Sequence, residues 1–399
     1  MSVARSQQQT FLRLLARLRP RWHQDLALPR QIQLILSGER SFGSRDRRLY
    51  RELIYTTLRY LPWIEPWLDR EPERAGKIAA WLAAENRATL AYRTELCADW
   101  PAATTLAERA AFLGADASAL LPVWFRPECP EAFAGVELEA QLARAPLWLR
   151  MQTEDTAAVT AEFDAHGWLA KPSAQLASAW RMTGEVDVTK TTAYEHGLIE
   201  VQDLGSQLVL ESVGVEPGGR WLDACAGAGG KTLQLARLLG ASGTVDASDI
   251  RPEALAELKT RASRAGITNV AVLTAPPTGS YTGVLVDAPC SGSGTWRRAP
   301  HLKWTTTADD LAARARVQRR LLEQAAPLVR PGGRLVYATC SLARTENEAV
   351  VSAFRQAHPE YEPAPFAHTF GFTPGLAGLA ILPALHDTDG FFVASFRRR

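Results

Sequence analysis

From about residue 200 to the end, short apolar runs of strand length alternate with longer segments whose apolar residues recur three and four apart. No other feature narrows the fold as much, because strands that alternate with helices bury themselves as a parallel sheet with helices on its faces. Strands are expected at 220–224, 244–248, 269–273, 283–287, 334–339 and 391–396, and helices at about 230–239, 252–265, 308–328 and 346–357. The fold class of this half is therefore α/β, and sites in such sheets gather where the strands end.

The first half follows another rule. Between about 8 and 95 the apolar residues keep helical spacing, as in Leu49, Leu53, Leu58, Leu61, Ile64 and Leu68 behind the helix-start candidates Ser44 and Asp46. Pro122, Pro127 and Pro130 break that period, so 96–145 reads as connecting structure. Leu147 to Met151 then reads as a strand, with a few short elements up to about 195. The expected division is an all-α domain over 1–130, a small α+β connector over 131–199 and the α/β domain over 200–399.

Hydrophobic residues make up 46% of the chain and charged residues 22%, an ordinary folded composition. The five cysteines are odd in number and include no Cys-x-x-Cys pair, which argues against a disulfide framework and against a zinc site. No metal is expected, and the setting is read as reducing and cytoplasmic. Met1 to Trp22 mixes Arg and Gln among its leucines, unlike a signal peptide, and no stretch reaches membrane-spanning length, so no membrane partner is expected. A net charge of +2 does not single out a partner, and a monomer is the default.

After the strand ending at Asp223 comes Ala224-Cys225-Ala226-Gly227-Ala228-Gly229-Gly230-Lys231-Thr232, and then a helix. A backbone this small admits close approach of a ligand, and the helix start offers unpaired N–H groups. Gly230-Lys231-Thr232 ends as a phosphate loop does, but that motif requires Gly at position 225, where this chain has Cys. Asp249, at the end of the next strand, suits a ribose diol instead, so the turn reads as a nucleoside-cofactor site. Packing alone would also explain small residues at a strand–helix turn.

Two cysteines close two further predicted strands: Asp287-Ala288-Pro289-Cys290-Ser291-Gly292-Ser293-Gly294 and Tyr337-Ala338-Thr339-Cys340-Ser341. A single strand cysteine is usually a small buried hydrophobe. Two of them at adjacent strand ends, with Asp287 three residues before one, fit covalent chemistry on a pyrimidine. A thiolate that adds to cytosine C6 makes C5 nucleophilic, a carboxylic acid steadies the N3 edge, and a base then removes the C5 proton. Lys231 is the nearest candidate to help a thiol ionise.

Together with Val201-Gln202-Asp203, Ser206-Gln207, the run from Pro331 to Ser341, Glu346-Asn347-Glu348 and Asp389-Gly390-Phe391-Phe392-Val393, these motifs resemble, in their order, the RNA cytosine-C5 methyltransferase family. The likeness is to its bacterial small-subunit ribosomal RNA (RsmB-type) branch and covers about 200–399. It implies a Rossmann-like domain dependent on S-adenosylmethionine, with a mostly parallel seven-stranded sheet. The stretch Phe42 to Arg47 looks like the NusB-type RNA-binding domain that such enzymes carry. The implied reaction is methylation of C5 of a cytidine in RNA, with ribosomal RNA preferred to transfer RNA as the partner.

By this resemblance Cys340 is the nucleophile, Cys290 assists product release and Asp287 faces the base. Cofactor contacts fall on Cys225, Ala226, Gly227, Ala228, Gly229, Gly230, Lys231 and Asp249, with Asp287 shared. DNA cytosine methyltransferases attack with the Pro-Cys cysteine, which leaves Cys290 as the alternative nucleophile. Two departures stand out. The family's turn reads Cys-Ala-Ala-Pro-Gly-Gly-Lys, whereas this chain has Gly227 and Ala228 in the middle, and Thr274 to Ser280 lacks the acid expected at the adenine amino group. The second departure motivates an alternative, an RNA-binding or ribosome-assembly factor that kept the fold and lost the cofactor.

Arg297, Arg298, His301 and Lys303, interleaved with Trp296 and Trp304, read as an RNA contact after the Cys290 loop. Thr345 and Glu348 form a capping box, which accounts for Glu348 without a catalytic role.

Overall fold

In the computed structural model, which describes residues 2–399, the chain up to Arg144 forms one unit together with Thr295–Ala308, and Ala145–Gly294 with Asp309–Arg399 forms a second. The first unit is helical. Its helix Val3–Leu18 turns Phe11, Leu14, Leu15 and Leu18 inward, the spacing of one buried face. The helix Ser44–Arg59 buries Leu49, Leu53 and Leu58 as their period predicts. Its cap is Gly43 rather than Ser44 or Asp46, and the Asp46 carboxylate accepts from Gly43 N at 3.0 Å. Residues 96–145 hold more order than the prolines suggested, with helices Leu106–Leu113 and Gly135–Leu142. Pro130 opens a short helical turn there, where its missing N–H costs nothing.

The stretch read as an RNA contact lies inside this unit, and that reading is corrected. Trp296 is 1% exposed, with its ring 4.6 Å from Phe125, and Lys303 is 2% exposed. The Lys303 ammonium donates to the carbonyls of Arg59 at 2.9 Å and Leu120 at 3.1 Å, and Trp304 Nε1 donates to Leu58 O at 2.6 Å. Arg297 and His301 are buried as well, and of the four basic residues only Arg298 is exposed.

In the second unit, β1 (Leu147–Met151), β2 (Leu169–Pro172), β3 (Ala179–Thr183) and β4 (Ile199–Val201) form an antiparallel sheet in the order β2-β3-β1-β4. Val159 and Phe163 of the helix Ala157–Ala165 lie in its core.

The larger sheet contains β5 (Gly219–Asp223), β6 (Gly243–Ala247), β7 (Val270–Val272), β8 (Tyr281–Asp287), β9 (Val329–Thr339), β10 (Tyr361–Pro363), β11 (Leu379–Ile381) and β12 (Phe391–Arg398). Its order is β10-β12-β9-β8-β5-β6-β7, with β11 also on β12. The pairs from β9 across to β7 are parallel, and those made by β12 are antiparallel. The strands number eight, not seven, because β10 and β11 both pair with β12.

Strand alternation makes the layers. Trp221, Leu285, Val336 and Val393 face one core with Leu208 of helix Leu204–Val213 and Leu235 of helix Gly230–Leu239. Their neighbours Leu222, Val286, Leu335, Tyr337 and Phe392 face the other, with Leu322 of helix Ala308–Ala325 and Phe354 of helix Glu348–Ala357. The chain runs outward from β5 to β6 and β7, then returns to place β8 on the other side of β5, so strand order reverses there. A ligand crevice belongs at such a reversal, beyond the carboxyl ends of the strands. Among the described residues no helix is long and apolar enough to cross a membrane, and no cluster of three metal-binding side chains occurs.

Candidate active site

The β5 strand ends in Asp223, which is buried and accepts from Thr232 Oγ1 at 2.8 Å and from Cys225 N at 3.3 Å. Burial pushes its carboxyl up to about 7, against the pull of the Thr232 bond. Past it the backbone turns sharply, with Gly227 at φ +52° and Gly229 at φ +88°. A Cβ on Gly229 would stand 2.8 Å from Leu258 Cγ, so this position needs glycine for both conformation and space. Cys225 is half-buried beside the turn, and burial raises its thiol. Ala226, Gly227 and Ala228 complete the turn and Gly230 opens the helix after it.

Asp249 closes over this turn from the end of β6. Its Oδ2 accepts from Gly227 N at 2.7 Å and Arg251 Nη2 at 3.0 Å, and its Oδ1 accepts from Arg251 N at 3.0 Å and Nε at 2.9 Å. A ribose diol would meet these oxygens only with the exposed Arg251 side chain turned aside. The segment 274–280 is a largely exposed loop between β7 and β8.

At the next two strand ends, Cys290 follows β8 and Cys340 follows β9. Their sulfurs are 3.3 Å apart, and both residues are half-buried. The hydrogen bond to Cys340, with burial added, holds the Cys290 thiol well above its ordinary value, so Cys290 keeps its proton. Lys231 Nζ donates to Asp287 Oδ2 at 2.8 Å and lies 5.2 Å from the centre of the Phe391 ring. Burial alone would lower the Lys231 ammonium, but Asp287, then Cys340 and Asp223, outweigh it and hold it above its ordinary value. Sequence reasoning named Cys290, Cys340, Lys231 and Asp287, and the fold gathers them at the ends of β8 and β9 and the start of the helix after β5.

Glu346 stands in a matched motif of the sequence, which assigns it no role in the site. It is fully buried, and its carboxylate accepts from Ser291 N at 2.8 Å, Gln318 Nε2 at 3.1 Å, Ser291 Oγ at 2.5 Å and Ser341 Oγ at 2.6 Å. Asn347 accepts from Thr339 Oγ1 at 2.7 Å and donates to Ser341 O at 2.8 Å. The helix starts at Glu348 with Asn347, rather than Thr345, at its cap position. The signal for Glu346 in the sequence is an acid in the first polar run after the second cysteine.

Residues 211–397 match the family described as 16S rRNA methyltransferase RsmB/F. Over 388 residues, 88% of each chain, the protein is 31% identical to the ribosomal RNA small subunit methyltransferase B of Xanthomonas campestris. It is 36% identical over 232 residues to the probable ribosomal RNA small subunit methyltransferase B of Bacillus subtilis, covering 53% of this chain and 50% of that one. The match thus spans half the length of the Bacillus relative. Among solved structures, a methyltransferase homolog protein from Pyrococcus horikoshii aligns with a TM-score of 0.59 at 27% identity, over 69% of this chain and 93% of that one. On the nearly full-length likeness to the Xanthomonas protein, the chain belongs to the 16S rRNA methyltransferase RsmB/F family.

Proposed function

We propose that this chain methylates C5 of a cytidine in RNA, ribosomal RNA in the first place, through a covalent bond between Cys340 and ring C6. The observation that carries the reading is the pair of thiols 3.3 Å apart at the ends of β8 and β9, beside the Lys231–Asp287 pair. S-adenosylmethionine, bound by the turn from Cys225 to Lys231 and by Asp249, supplies an electrophilic methyl group. The small residues and positive φ values at Gly227 and Gly229 suit that ligand.

Cys290 holds its proton tightly, which leaves Cys340 as the attacking sulfur, with the Lys231 ammonium held above its ordinary value beside Asp287. The Cys340 sulfur bonds to C6 as the C5–C6 double bond opens, and the negative charge that moves toward N3 is offset by the Lys231 ammonium, which holds Asp287 Oδ2 at that edge of the base. Once Cys340 is a neutral thioether, the main cause of Cys290's high proton affinity is gone. Cys290 then gives its proton to water and takes the proton from methylated C5, and the C6–S bond breaks to return Cys340 as thiolate. The target is unpaired or extruded, because C5 and C6 are shielded within a helix.

The helical unit is proposed to be a NusB-like RNA-binding domain, and the free thiols fit a reducing cytoplasmic compartment. A second reading, an RNA-binding assembly factor without cofactor, draws on Arg251 occupying Asp249 and on the acid-free loop 274–280. Incubating undermodified ribosomal RNA with the protein and methyl-labelled S-adenosylmethionine tests both. Label in 5-methylcytidine after digestion is the expected result, whereas no label, with no heat of cofactor binding by calorimetry, would establish the second reading.

A further inference from the structure

A buried carboxylate is costly unless donors serve both of its oxygens. Glu346 meets that condition with four donors, and three of them come from Ser291 and Ser341, the residues directly after Cys290 and Cys340. The fourth, Gln318, also donates to Pro289 O at 3.0 Å, directly before Cys290. Around this centre, Ser293 Oγ lies 3.0 Å from Ser341 Oγ and accepts from Leu342 N at 2.9 Å, while Gly294 N donates to Cys340 O at 3.0 Å. The two thiol-bearing loops leave different strands and are 50 residues apart in sequence. Besides these direct links, one carboxylate bonds to the residue after each thiol.

We propose that Glu346 is a positioning residue that sets the separation of the two thiols, and so couples the nucleophile to its proton partner. Its place in the reaction rests on the function proposed above; the geometric claim does not. Glu346 touches neither sulfur in this account and acts through the two serines. A glutamine can keep much of the brace, since its carbonyl can accept from Ser291 N and Gln318 Nε2 while its amide donates to the serine oxygens. An alanine cannot.

The test has two readouts. In Glu346→Ala, kcat should fall about 100-fold, as for a misplacement of roughly 1 Å, with KM for RNA and for S-adenosylmethionine within about threefold of wild type. Glu346→Gln should recover most of that loss. Independently, free protein is treated with diamide, which takes one hydrogen from each thiol and becomes the hydrazine as the Cys290–Cys340 disulfide forms. Peptide mass spectrometry then follows that one bond. Wild type should form it readily, Glu346→Gln nearly as fast, and Glu346→Ala at about a tenth of the rate or less, because exchange chemistry depends on access and approach. Should Glu346→Ala fail to fold, Ser341→Ala removes one strut of the brace and should slow the bond in the same direction. Wild-type cross-linking and kcat in Glu346→Ala, or in Ser341→Ala where that variant replaces it, would overturn the proposal. Rapid cross-linking by a wild type that transfers no methyl would count against the reaction alone.

Discussion

Two sulfurs in van der Waals reach of each other cannot both lose a proton cheaply, and the roles proposed for Cys290 and Cys340 follow from that. The hydrogen bond shared with Cys340 and the burial of the site both hold the Cys290 thiol above its ordinary value. Asp223 shows the same logic beneath the turn. Its carboxyl stands at about 7 in the folded protein against an ordinary 3.8, so the folded state holds this proton more tightly than the unfolded chain does. Its contribution to stability is therefore greatest in acid and is lost progressively as pH rises from about 4 to about 7. Asp223→Asn should flatten that part of the stability profile in urea unfolding measured across this range, and an unchanged slope would show that Asp223 ionises freely. Cys290, Cys340, Lys231 and Asp287 were legible because each sits within a short motif at a strand or helix end. Glu346 stood in a matched motif, but its role was not legible, since its partners Ser291 and Gln318 are 55 and 28 residues away and only the fold brings them together.

At the scale of elements, hydrophobic period carried most of the reading. The expected strand at 220–224 is Gly219–Asp223, that at 283–287 is Tyr281–Asp287, and the helix at 230–239 is Gly230–Leu239. β10 and β11 escaped because three residues show no period, and β10 ends in a proline that discourages a strand assignment. The helix after Cys340 begins two residues later than expected because Glu346 and Asn347 serve the loops rather than the helix. The glycine turn gives the clearest test at this level. Gly229→Ala must hold φ +88° and fit a methyl 2.8 Å from Leu258 Cγ. It should cost at least about 1–2 kcal/mol from the left-handed conformation alone. Calorimetry should show binding of S-adenosylmethionine weakened about tenfold, the loss expected when a backbone cradle shifts by a fraction of a bond length. Wild-type affinity would mean that the turn does not hold the cofactor.

For the molecule as a whole, the informative departure is the segment Thr295–Ala308, which follows the Cys290 loop in sequence yet belongs with the helical unit. Its four basic residues and two tryptophans looked like a nucleic-acid surface. Composition does not say whether an ammonium spends its hydrogen bonds on water, on phosphates or, as Lys303 does, on carbonyls 183 and 244 residues away in sequence. Trp296→Ala should therefore cost about 3–5 kcal/mol in thermal or denaturant unfolding, the range for emptying a buried aromatic site. Arg298→Ala, on the exposed side, should stay within about 0.5 kcal/mol of wild type. Equal, small effects would place the segment on the surface after all. The reaction itself is tested most directly by trapping. Each cysteine is replaced by alanine in turn, and the protein is run on a denaturing gel after incubation with substrate RNA and S-adenosylmethionine. The account predicts a stable protein–RNA band from Cys290→Ala and none from Cys340→Ala. A band that persists in Cys340→Ala and vanishes in Cys290→Ala would contradict it.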